Sequence, residues 1–200
     1  IVNPNDHVNC GQSTNDVIPT AGKMTSLRLL DNLKKELLRL HTALSEKSKE
    51  FDHVIKMGRT QMQDAVPIRL GQEFHAYSVA ILRDINRMDK AMDEMRSVNM
   101  GGTAVGTGIN ADENYLKRIV PNLVEVSGMN FVQAFDLVDS TQNLDPFVSV
   151  SGAIKACAVT LSKIANDLRL MSSGPRAGFG EINLPAKQNG SSIMPGKVNP

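Results

Sequence analysis

Apolar residues recur at Val17, Ala21, Met24, Leu27, Leu30, Leu33, Leu37, Leu40 and Leu44, in steps of three and four that place them on one face of a helix. Two stripes of the same period follow: Leu70, Phe74, Tyr77, Ile81, Ile85, Met88, Met92 and Met95, then Phe147, Val150, Ile154, Cys157, Leu161, Ile164 and Leu168. Helices of this length, well beyond the usual ~11 to 12 residues, cannot bury such stripes alone and must pack side by side as a nearly parallel bundle. The cluster Ser13-Thr14-Asn15-Asp16 marks the start of the first helix. The stripe carries that helix to about Lys49, with Pro19 expected in its first turn, where N–H groups lack intrahelical partners. The second is expected to begin behind Asp64 with Pro67 in its first turn, and the third to end at Gly174-Pro175 with Pro146 kinking its beginning. A shorter helix is expected from about Asp112 to Ser127. No segment sustains period-two alternation, so the expected fold class is all-α, a long-helix bundle.

Composition narrows the function classes. Twenty-two Lys and Arg against twenty-one Asp and Glu leave a formal net charge of +1, which argues against nucleic acid or an anionic membrane as the main partner. No apolar run approaches the roughly 20 residues of a membrane span, and no signal-like N-terminus is present. Cys10 and Cys157 form neither a metal-ligand spacing nor a disulfide framework, in keeping with a reducing, cytoplasmic setting. His7, His41, His53 and His75 lack HxxxH or HExxH spacing, so no catalytic metal is expected. The run MGGTAVGTGIN follows a helix and lacks the GxGxxG order, which disfavours a dinucleotide site.

The chemistry concentrates in GSSIMPGKVNP, Gly190 to Pro200. Gly190 and Gly196 allow backbone angles that aim main-chain N–H groups at an anion, Ser191 and Ser192 bring hydroxyls, Lys197 a fixed charge, and Asn199 a neutral donor and acceptor. A nucleotide phosphate loop does not fit. Five residues separate the glycines where such a loop has four, and Val198 stands where a metal-binding Ser or Thr belongs.

This string resembles the signature of the fumarase/aspartase superfamily, whose members eliminate a group from a small dicarboxylate or its derivative to leave fumarate. Gln12-Ser13-Thr14-Asn15-Asp16, Gly58-Arg59-Thr60-Gln61-Met62-Gln63-Asp64 and SSGPRAG from Ser172 to Gly178 resemble three further blocks of that superfamily, in the same order. The resemblance implies that residues 1–200 are the central helical-bundle domain, cut at both ends, with an N-terminal domain, further bundle helices and a small C-terminal domain absent. It implies a homotetramer whose active sites are shared between subunits, a dicarboxylate or amino-acid substrate, and no organic cofactor. Residue by residue, it makes Ser191 the general base, with Lys197 the cation that holds the alkoxide. Ser13, Thr14, Asn15, Thr60, Gln61, Ser192, Lys197 and Asn199 become the substrate-binding set.

Residue types alone leave blander readings open. Ser, Thr, Asn and Asp are preferred helix caps, a serine in a Gly-Ser-Ser turn commonly satisfies its own backbone, and a loop lysine is commonly solvated. Gln61 is the informative departure: many relatives have histidine there, and glutamine cannot titrate near neutral pH. With MQDAVP and LGQEF, it resembles the aspartate ammonia-lyase branch most. Cys10-Gly11, where relatives often carry Met-Ser, is a second departure. The expected function is conversion of L-aspartate to fumarate and ammonia by β-elimination through an aci-carboxylate. A class II fumarase or other fumarate-producing lyase, and a non-catalytic helical scaffold, stand as alternatives.

Overall fold

The computed structural model describes residues 1–199. A π-helical turn, Pro4–Val8, capped by Asn3, precedes α1 (Thr14–Glu50). An antiparallel hairpin, β1 (Ile55–Thr60) and β2 (Gln63–Arg69), leads into α2 (Leu70–Met95). β3 (Ser97–Val98) pairs in parallel with β4 (Val132–Gln133), flanking α3 (Glu113–Ser127). Then come α4 (Leu137–Gln142), α5 (Asp145–Met171) and a two-residue pairing of β5 (Gln188–Asn189) with β6 (Val198–Asn199). The long helices and scant strand make this the expected helical-bundle class.

The chain divides into two compact units, Ile1–Arg39 with Leu82–Lys155, and Leu40–Ile81 with the chain from Ala156 onward. The first unit buries Leu27, Leu30, Leu37, Ile85, Met88, Met92 and Met95. In the second, Leu44, Leu70, Phe74, Tyr77, Ile81, Cys157 and Ile164 are buried, with Phe74 edge-on to both Phe51 and Tyr77 at 5.2 and 5.8 Å between ring centres.

All eight residues of the α2 stripe are buried. α1 departs from expectation in its first turns, where the buried positions are Asp16, Thr20 and Lys23, one step round from Val17, Ala21 and Met24. That face is polar because Asp16 receives backbone N–H groups from the loop after β3. Pro19 lies beyond the first turn, as the sixth helical residue. The carbonyl of Asn15, which residue 19 would ordinarily serve, accepts instead from Asn99 Nδ2 at 3.0 Å.

α2 also departs. It starts at Leu70, and Asp64 and Pro67 belong to β2. Proline is tolerated because a two-stranded hairpin has only edge strands. Between the pairs Met57↔Pro67 and Arg59↔Asp64 the register shifts, so that one residue of β1 opposes two of β2. Gly58 sits there; a Cβ on it would lie 2.8 Å from the Val66 carbonyl oxygen.

Pro146 falls in the first turn of α5, and α3, capped by Asp112 and Gly128, matches the shorter helix expected from about Asp112 to Ser127. One reading needs correction. α5 is long and apolar enough, by length and composition, to cross a membrane, its best stretch having a mean hydropathy of 1.4. Lys155 and several Ser and Thr interrupt its apolar residues, so no unbroken run marks it in the sequence.

Candidate active site

Ser13 to Asn15 sit at the mouth of α1. Ser13 Oγ accepts from the Asn15 N–H at 3.2 Å, while Asp16 Oδ1 accepts from the Ser13 N–H at 2.9 Å, a reciprocal cap. The other Asp16 oxygen accepts from Gly101 and Thr103 N–H at 3.3 and 3.0 Å, and Asp16 is fully buried. Its carboxylate thus joins the helix start to a loop that turns through positive φ at Gly101 and Thr103. Thr14 and Asn15 remain on the surface. The Asn15 side chain is committed in part, Nδ2 donating to the Ala104 carbonyl at 2.7 Å. Capping therefore accounts for Ser13 and Asp16, and leaves Thr14 as the exposed hydroxyl of the group.

Thr60 ends β1 and pairs with Gln63. Gln61 and Met62 form the connecting turn, both left-handed, with φ of 52° and 61°. Positive φ at both central residues is the backbone of a type I′ hairpin turn, whose twist matches that of the strands it joins. Thr60, Gln61 and Met62 are all exposed at the tip.

The third group is closed by its own short ladder. Lys187 N–H donates to the Asn199 carbonyl at 3.1 Å and Gly190 N–H to the Lys197 carbonyl at 2.9 Å. Ser191 and Lys197 are thereby brought to facing ends of one loop. A Cβ at position 190 would meet Lys197 Cγ at 2.8 Å and Asn199 Oδ1 at 3.1 Å, so glycine there lets these two side chains lie across the strand. Gly196 turns the chain with φ of 80°. Ser191 Oγ accepts from the Ile193 N–H at 3.2 Å; Ser191 is half-buried, and Ser192, Lys197 and Asn199 are exposed.

Beside the hairpin lies a cavity of about 360 Å³ whose lining includes Lys56, Arg59, Met62, Glu73, Tyr77 and Asp167. Lys56 Nζ lies 2.8 Å from Glu73 Oε2 and 2.7 Å from Glu181 Oε2, and Arg59 Nη2 donates to Glu181 Oε1 at 2.5 Å. Burial pushes the Glu181 carboxyl up, but hydrogen bonds and charge from Arg59 and Lys56 outweigh it and hold the group below the usual carboxylate range. Tyr77 OH donates to Asp167 Oδ2 at 2.9 Å, and burial followed by that bond raises the phenol above its ordinary value. Sequence reasoning missed Glu181 and Asn99, since nothing local marks either as a partner of residues far away in the chain. Among the described residues no cluster of His, Cys, Asp and Glu could hold a metal ion.

Ser13 to Asn15 belong to the first unit; the Thr60–Gln61 turn and the 190–199 loop belong to the second, each on its own framework. A family model described as Lyase matches residues 1–200. The aspartate ammonia-lyase of Bacillus subtilis (strain 168) is 58% identical over 199 residues, covering 100% of this chain and 42% of its own length. A fumarate lyase:delta crystallin from Brucella melitensis, solved bound to cobalt, superposes with a TM-score of 0.94 at 50% identity over 99% of this chain and 43% of its own. A recombinant class II fumarase from Schistosoma mansoni follows at 0.87 and 36%, covering 99% and 45%. The chain thus spans about 42% of the length of the curated relatives it matches.

Proposed function

The chain belongs to this lyase family, the fumarase/aspartase superfamily, and from that premise we propose that the full-length protein converts L-aspartate to fumarate and ammonia, with residues 1–200 its central bundle domain. The observation that carries the reading is the closed 190–199 loop, in which the Gly190–Lys197 pairing sets a hydroxyl and an ammonium-bearing side chain at facing strand ends.

Ser191 takes the proton from the β-carbon. A serine hydroxyl is a weak base, and positive charge beside it favours the alkoxide; Lys197 is the cation of the same loop. The electron pair of the broken C–H bond moves into the adjacent carboxylate as an aci-carboxylate, a species that needs donors already aimed at it. Lys197, Asn199, Ser192 and loop N–H groups are suited to that task. Collapse of this dianion forms the carbon–carbon double bond and expels the α-ammonium group, which takes the pair of the C–N bond and leaves as neutral ammonia. Thr14, Asn15, Thr60 and Gln61, with Ser13 adjacent, hold the substrate. Gln61 donates and accepts without titrating near neutral pH, which favours aspartate over malate as substrate.

We also propose a homotetramer with active sites shared between subunits. The long helices expose large apolar side chains, among them Leu29, Val148 and Val159, each more than 60% accessible, and faces of this kind mark association surfaces.

The deciding experiment offers L-aspartate and L-malate side by side to the full-length protein and follows fumarate absorbance. Turnover with aspartate and little with malate is expected. Preference for malate would establish the fumarase reading instead, and no turnover with either would leave the scaffold.

A further inference from the structure

Beneath the β1–β2 turn, Glu73, Lys56, Glu181 and Arg59 form one chain of alternating charges, joined at 2.8, 2.7 and 2.5 Å. The side chains of Lys56 and Glu181 keep only 9% and 13% of their surface exposed. Two of these four residues belong to β1, one to α2, and Glu181 to the segment after α5. Glu181 is fixed at both ends: its N–H donates to the Met171 carbonyl at 2.8 Å, where α5 ends, and its carboxylate reaches both cations of β1. The guanidinium of Arg59 also lies over the Phe179 ring, 4.0 Å from its centre. The segment between is compact, with Gly180 N–H on the Ser173 carbonyl and Phe179 N–H on Ser173 Oγ.

A buried ion chain adds little stability, because desolvation offsets much of the attraction. Its geometry is what distinguishes this one. Arg59 immediately precedes Thr60, so whatever holds Arg59 sets where the exposed turn residues Thr60 and Gln61 stand. The hairpin has no third strand and almost no buried residue of its own to hold it. We propose that Glu181 is a positioning residue for the elimination: by clamping Lys56 and Arg59 it fixes the turn carrying Thr60 and Gln61 to the segment that leads into the Ser191–Asn199 loop. The proposal rests on the reading of Thr60 as a ligand of a substrate carboxylate. A displacement of about 1 Å in such a ligand is enough to cost as much as 10²-fold.

The test uses the full-length protein with Glu181→Gln, Thr60→Val and the double variant, measured by calorimetric binding of succinate, by steady-state kinetics with aspartate and by melting temperature. Glu181→Gln is expected to raise the succinate Kd and the aspartate KM about tenfold with kcat within about threefold, and to add nothing when Thr60→Val is already present, since a residue acting through another is non-additive with it. Unchanged Kd and KM, or losses that add, would overturn the proposal while Thr60→Val still weakens binding. If Thr60→Val itself changes nothing, the reading of the turn fails and the proposal fails with it. Should Glu181→Gln not assemble, Arg59→Lys keeps the charge but loses the planar fork and the ring contact. A severalfold rise in succinate Kd is then expected, and an unchanged Kd overturns the clamp.

Discussion

Asn99 donates from Nδ2 to the backbone carbonyl of Asn15 at 3.0 Å, the acceptor that Pro19, four residues on, has no N–H to serve. The same amide reaches Thr141 Oγ1 at 3.0 Å, which itself donates to the Leu137 carbonyl at 2.6 Å. Asn99 is fully buried. The turn that carries Thr14 and Asn15 is therefore held by a side chain from the loop after β3 in place of one helical bond.

Asn99→Ala is expected to lower the melting temperature of the full-length protein, because it removes the donor to the Asn15 carbonyl, a hydrogen bond worth about 1 kcal/mol. Pro19→Ala restores an N–H at the helical position, so in that background the same substitution should lose visibly less. An equal drop in both backgrounds would mean that Asn99 acts through Thr141 alone.

How much of this was legible differs from element to element. The α2 stripe predicted its buried face residue by residue, because a long amphipathic period leaves one solution. The hairpin escaped because both of its faces are largely exposed, so no apolar alternation forms, and Asp64 and Pro67 imitate a helix start. The sequence places Pro19 in the first turn, where it orphans no carbonyl; lying further in, it orphans that of Asn15, the donor that answers stands at residue 99, and Glu181 likewise answers Lys56 and Arg59 from more than a hundred residues away. Local patterns state such a demand; only the fold supplies the partner. The blocks proposed for the site stand out in the sequence as motifs, whereas the cross-strand approach of Lys197 to Gly190 does not.

Tyr77 should make the fold sensitive to alkali. Burial, then the hydrogen bond to Asp167, raises its phenol above the ordinary value, so the folded chain keeps a proton that the unfolded chain releases near pH 10. Stability from this group is complete below about pH 10 and falls as pH climbs beyond it. Burial lowers the Lys23 ammonium against the pull of Asp145 and works in the opposite sense, so the measure is the difference between wild type and Tyr77→Phe. The gap in melting temperature between them should shrink from pH 9 to pH 11; a constant gap would contradict the assignment.

Gly190→Ala should harm turnover more than folding. The atom nearest the new methyl group is Lys197 Cγ at 2.8 Å, so the Lys197 side chain must turn aside, while its backbone carbonyl carbon at 3.1 Å gives by a few tenths of an ångström. Moving the side chain takes the ammonium away from its place in the loop. A fall in kcat of at least tenfold with a melting temperature within a few degrees of wild type is expected, and retention of full kcat would separate Lys197 from the chemistry.

Ser191→Ala in the full-length protein should remove elimination while leaving binding nearly intact. The hydroxyl is assigned the proton transfer, whose loss typically costs about 10² to 10⁴ in rate, whereas Thr14, Asn15, Thr60 and Asn199 are assigned to hold the substrate. A loss confined to the chemical step lowers kcat and leaves the succinate Kd in place. Lys197→Ala should do both, since it removes charge pairing in the ground state and stabilisation of the developing dianion, the latter alone worth about 2.7–4 kcal/mol. Turnover and calorimetric succinate binding, measured together, separate the two residues. If Ser191→Ala kept even a tenth of wild-type turnover, the proton would be leaving to another group, and Ser191 would revert to the turn residue that its hydrogen bond from the Ile193 N–H already makes it.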